Sequence, residues 1–112
     1  MAAADLLIVP LPASPLSSRA LDLLRRDLSR AGGRHPPLLP VFSMYDGRRK
    51  AHRAARDGAM APYPAIPWAS QIEQTAFRRA PIGTFAPHCP AAQALDRVWR
   101  AIEFKLQESR AA

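Results

Sequence analysis

The sequence predicts an α/β fold built on a parallel sheet of about three short strands with flanking helices. Three observations carry this. Apolar runs alternate with segments of helical period, the first run, Leu6 to Val9, has no polar alternation, and the C-terminal segment holds the strongest helical stripe. A strand covered on both faces by crossover helices reads as such an unbroken apolar run, and strand, helix, strand order gives right-handed parallel crossovers.

In chain order, the first strand covers Leu6 to Val9 and is ended by Pro10 and Pro12. Leu16 to Ala31 then places Leu16, Ala20, Leu24 and Leu28 on one helical stripe, with Ser14 and Pro15 supplying the N-cap and first turn and Gly32-Gly33 the stop. Leu38 to Met44 reads as the second strand, with Pro40 marking a start or an edge, because proline cannot donate to a ladder. Asp46-Gly47 breaks it. Arg48 to Arg56 has helical composition and ends near Gly58. Ala65-Ile66, between Pro64 and Pro67, is long enough for only a very short third strand, and Ser70 to Arg79 forms a short helix. Ala91, Ala94, Leu95, Val98, Trp99, Ile102 and Leu106 share one face of the last helix, opposite Gln93, Asp96, Arg97, Arg100 and Glu103. Trp99 is expected in the core.

With 112 residues the chain amounts to one domain at most, able to bury about two-thirds of its unfolded surface. Hydrophobic residues at 48% and charged residues at 22% give a globular rather than a disordered balance. Cys89 is the single cysteine, so no intrachain disulfide can form and a reducing cytoplasm is the expected location. No basic leader precedes Leu6, and no apolar run approaches the roughly 20 residues of a membrane helix, so no membrane partner is expected. The net charge of +7 is carried almost wholly by arginine, since only Lys50 and Lys105 are lysines. Such an excess fits either a solvated basic surface or an anionic partner such as nucleic acid.

Ser43-Met44-Tyr45-Asp46-Gly47-Arg48 follows an apolar strand and precedes a basic helix. In that setting it resembles a motif of the ParA/MinD-type partition ATPases, the deviant Walker P-loop family. Ala3-Ala4-Asp5 running into Leu6 to Pro10 resembles that family's strand entered from a helix end. Ile66-Pro67, Ile72-Glu73-Gln74, Arg79-Ala80-Pro81-Ile82 and Phe85-Ala86-Pro87 resemble its closing segment. The three blocks keep the family's order and span essentially the whole chain, residues 1–112, as a single partial domain. The resemblance therefore implies the C-terminal part of a parallel-sheet P-loop NTPase fold. A three-stranded sheet with few elements to cover it agrees, and the opening on a buried-type strand places the expected loss on the N-terminal side.

In that family a Gly-rich loop with two lysines and an aspartate-bearing strand carry the chemistry, with ATP and magnesium as cofactors. Gly32, Gly33, Gly47, Gly58 and Gly83 are the only glycines, and none stands in a G-x-x-x-x-G-K-[ST] setting. Without amides and a lysine on the phosphates, phosphoryl transfer loses its main electrostatic stabilisation, so no catalytic residue is assigned and hydrolysis by this chain alone is not expected. What the resemblance carries over is the adenine side of the pocket, at Ser43, Met44, Pro67 and Trp68, with no tightly bound cofactor.

Arg48, Arg49, Lys50, Arg53 and Arg56, with His52, would place several cations on one short helix, and the related ATPases bind DNA nonspecifically through basic surfaces. Arg78 and Arg79 either extend that patch or, for Arg78, pair with Glu73 along the helix. His88 beside Cys89 lacks the second pair of ligands a metal site needs. Cys89, before Pro90, reads instead as the cap of the last helix. The leading expectation is a C-terminal fragment of a ParA-like ATPase of the DNA-partition or cargo-positioning class. The alternative is a non-catalytic basic module that binds DNA, dimerises with itself or pairs with a full-length relative. A third reading is a remnant that does not fold.

Overall fold

The computed structural model describes residues 4–32 and 35–111. They form β1 (Leu7–Leu11), α1 (Pro15–Arg30), β2 (Leu38–Tyr45), α2 (Lys50–Asp57), β3 (Ala65–Pro67), α3 (Ser70–Arg78), α4 (Ile82–Phe85) and α5 (Pro90–Ala111). All strands are parallel, in the order β1-β2-β3, so β2 is central. The chain is thus α/β with a three-stranded parallel sheet flanked by helices. Ala3 of the proposed helix end and Gly33 of the proposed stop lie outside the described residues.

Two prolines sit where a hydrophobic reading would stop a strand. Pro10 does not end β1, which continues to Leu11. Leu7 N–H donates to Pro37 O at 2.9 Å, so odd positions of β1 face β2 and the nitrogen of Pro10 faces the open outer edge, where no donor is required. Pro40 lies inside the central strand, opposite Val9, and is buried. Its nitrogen faces the β3 side, two residues before the first bond there, Phe42 N–H to Pro64 O at 2.9 Å. The ladder therefore loses nothing at either proline.

One face of the sheet carries a core of Leu11, Leu21, Phe42 and Met60, with Val9, Leu38, Ala55 and Ala65 packed against it. The residues from α1 and α2 share this face, as consecutive right-handed crossovers require. The other face holds Leu39, Val41 and Val98, with Leu6, Ile66, Ala101 and Ile102 beside them, so α5 covers β2 and β3 there. β1 is less protected on that side, where Ile8 is 48% exposed.

α1 begins as expected, with Ser14 Oγ accepting the N–H of Leu16 at 3.2 Å and Pro15 in the first turn. It stops at Gly32, whose φ of 69° suits a residue without a Cβ. Its buried face is not the expected one. Leu16 is 70% exposed and Ala20 is exposed, whereas Ser17 and Leu21 are buried and Leu24 and Leu28 half-buried. A serine is tolerated on the inner stripe because its Oγ donates to Pro12 O at 2.7 Å, which satisfies the buried hydroxyl.

α5 starts from Cys89, whose Sγ accepts the N–H of Ala92 at 3.4 Å in the expected capping role. Ala91, Ala94 and Val98 are its buried residues, and Trp99, expected in the core, is 59% exposed. The narrow three-stranded sheet accommodates only the centre of a wide apolar stripe. No helix among the described residues is long and apolar enough to cross a membrane.

Candidate functional site at the carboxyl ends of the strands

Because the strands are parallel, Leu11, Tyr45 and Pro67 end at one edge of the sheet, where ligands of open α/β folds bind. The central strand is irregular there. Phe42 pairs with Ala65 and Tyr45 with Pro67, so the register shifts between them, and Met44 has φ of 54°. A left-handed backbone costs a methionine about 1–2 kcal/mol. Trp68 N–H donates to Tyr45 O at 2.7 Å, which closes the ladder beyond the irregularity. Met44 and Trp68 are left 49% and 61% exposed.

Ser43, Met44, Pro67 and Trp68, the four residues singled out for a nucleotide base, line a single cleft of about 300 Å³ with Ile72 and Glu73 of α3. A second cleft, of about 350 Å³, shares Met44 and Trp68 and is otherwise bounded by Pro12, Ala13, Asp46, Arg48, Arg49 and His52. The first is apolar apart from Ser43 and Glu73. The second is rimmed by charge.

The rim is built by the turn from β2 to α2. Asp46 Oδ1 accepts the N–H of Arg48 at 3.0 Å and its Nε at 3.1 Å, and Oδ2 accepts Nη2 at 3.3 Å. These bonds from Arg48 hold the Asp46 carboxyl below its ordinary value of 3.8 and raise the Arg48 guanidinium in turn. Asp46 N–H donates to His52 Nδ1 at 2.9 Å, and Arg53 Nη1 donates to Gly47 O at 2.9 Å. Beneath the turn, the rings of Phe42 and Tyr45 meet edge to face at 5.3 Å, and His52 lies 6.2 Å from Phe42.

No family model matches the chain, and no curated protein sequence matches it.

The five cations proposed for DNA do not share one helix. Asp46 captures the backbone of Arg48 in a side-chain turn, so α2 begins at Lys50 rather than Arg48. Arg48 is ion-paired, Arg53 is bonded to Gly47, and Arg56 lies over the Tyr45 ring at 4.9 Å. Arg49 and Lys50 make no side-chain hydrogen bond or ion pair among the described residues. All five remain exposed. Arg78 does not pair with Glu73. Its guanidinium covers the Phe85 ring at 4.7 Å.

Two site features escaped sequence reasoning. Glu73 forms part of the apolar cleft, for which its position in α3, facing the end of β3, was the only signal. His52 braces the turn, an arrangement foreshadowed only by its spacing of six residues from Asp46. Among the described residues, no group of three or more His, Cys, Asp or Glu side chains is placed to hold a metal ion.

Proposed function

We propose that this chain is the base-binding, C-terminal part of a ParA/MinD-like P-loop ATPase fold, of the DNA-partition or cargo-positioning class, and that it binds a nucleotide weakly without hydrolysing it. The observation that supports this reading is the convergence of Ser43, Met44, Pro67 and Trp68 on one cleft at the carboxyl ends of β2 and β3. An exposed indole, a thioether and a proline give a flat ring apolar faces to lie on, and Ser43 and Glu73 give it polar partners. The strained backbone at Met44 is of the kind that gathers at ligand sites. ATP and magnesium would bind tightly only together with a phosphate-cradling loop, and the 112 residues contain no such motif.

The test is a fluorescence titration with adenine nucleotides in a Trp99→Phe background, which leaves Trp68 as the single tryptophan. Saturable quenching is expected with a Kd near about 1 mM, equivalent to about 4 kcal/mol, with no phosphate release. An indole signal that inorganic triphosphate changes as much as ATP does would remove the base-binding reading.

Arg49 and Lys50, exposed and unpaired among the described residues, favour a second reading: a basic module that binds duplex DNA without sequence preference, alone or as a dimer with itself or with a full-length relative. Its affinity should fall steeply with salt. Absence of any gel shift at low salt would eliminate it.

A further inference from the structure

Two clefts meeting at one wall pose a question about ligand size. The apolar cleft holds a flat ring and little else. The adjoining cleft is rimmed by groups that donate, and Met44 and Trp68 line both.

We infer that the two clefts are one site for a nucleoside monophosphate, with the base in the apolar cleft and the phosphate in the adjoining one against Arg49 and His52. The inference rests on the base-binding reading above and adds the phosphate position. Charge supports it. Asp46 would repel a phosphate if its carboxylate were free, but Arg48 bonds to both of its oxygens. The pair is close to neutral, which leaves Arg49 as the net charge on the rim. The tautomer of His52 agrees. Nδ1 accepts the N–H of Asp46, so the neutral ring carries its proton on Nε2 and has a donor to spare. A guanidinium matches a phosphate in both charge and fork geometry.

The experiment compares adenosine, AMP and inorganic phosphate on the full chain carrying Trp99→Phe, read by Trp68 fluorescence at fixed ionic strength. AMP is expected to bind about tenfold more tightly than adenosine, the worth of one charge-assisted contact. Arg49→Ala, at an exposed position that provides no side-chain cap to α2, should abolish that preference and leave adenosine binding unchanged. Arg97→Ala on α5 removes the same charge elsewhere and should leave the preference intact. Equal affinity for AMP and adenosine would overturn the phosphate position while sparing the base-binding reading. An equal loss in Arg49→Ala and Arg97→Ala would overturn it as diffuse attraction. Failure of adenosine and AMP alike would overturn both readings.

Discussion

Replacing Phe42 with alanine tests the packing beneath the site most directly. Phe42 is fully buried in the central strand, within the cluster of Leu11, Leu21 and Met60, and its ring supports Tyr45 at 5.3 Å and His52 at 6.2 Å. Removing a buried phenyl group costs about 3–5 kcal/mol, the transfer energy plus the cavity left behind. Domains of this size have only about 5–15 kcal/mol in total. At roughly 4–8 °C per kcal/mol, the melting midpoint should fall by about 12–40 °C, enough to unfold a marginal domain at ambient temperature. Phe42→Leu keeps most of the apolar volume and should cost no more than about 1.5 kcal/mol. The assay is urea unfolding followed by far-UV circular dichroism, with m compared across variants. Val98→Ala empties the opposite face, which shares no core cluster with Phe42, so the two losses should add to within about 0.5 kcal/mol. A Phe42→Ala cost under about 1 kcal/mol at unchanged m would refute the close-packed core between the sheet and α1.

Ser17→Ala removes one of two bonds on the carbonyl of Pro12, which keeps the N–H of Ser14 at 2.9 Å, and should cost about 0.5–1.5 kcal/mol in urea unfolding, whereas Ser18→Ala next to it should stay within about 0.5 kcal/mol. Arg79 closes α3 in the left-handed region at φ of 50°, so Arg79→Gly should gain about 0.5–1 kcal/mol, the strain relieved less the added entropy of unfolded glycine. A loss instead would show that the Arg79 side chain contributes to the fold. The folded-state value of Asp46 lies below its unfolded value, so its contribution is present above about pH 4 and disappears as pH falls through the depressed value. Wild type should therefore exceed Asp46→Asn in stability at neutral pH, with the gap closing in acid. A gap that persists at the acid end would assign the difference to something other than ionisation.

The strands were largely legible from their apolar runs, but the first run was expected to be covered on both faces and β1 leaves Ile8 and Pro10 exposed on one of them. Each strand lies within one or two residues of its expected position. Pro10 and Pro40 were misleading because the rule against proline concerns the side of the strand that needs a donor, and that side depends on register. The stripe of α1 was misplaced for a comparable reason: Ser17 is inward, and hydrophobic periodicity does not register a serine whose hydroxyl meets a carbonyl. Trp99 sits on the correct helix, but how much of its stripe is covered depends on the width of the sheet, a property of other segments. At the site, the approach of residues 43–44 to 67–68 follows from parallel pairing of β2 with β3. The hold of His52 on Asp46 does not, because it depends on Asp46 delaying the start of α2.

Pro10 has a consequence beyond tolerance. β1 is an edge strand, and along its outer side, among Leu6, Ile8 and Pro10, the third position has no amide hydrogen. An intruding strand could bond at Ile8 but would find the next rung missing. The edge is thereby shortened to a length too small to template further growth, although Ile8 beside it is apolar and half-exposed. Replacing Pro10 with valine would supply the missing amide, and the variant is expected to aggregate more readily than the wild type, read by light scattering on heating.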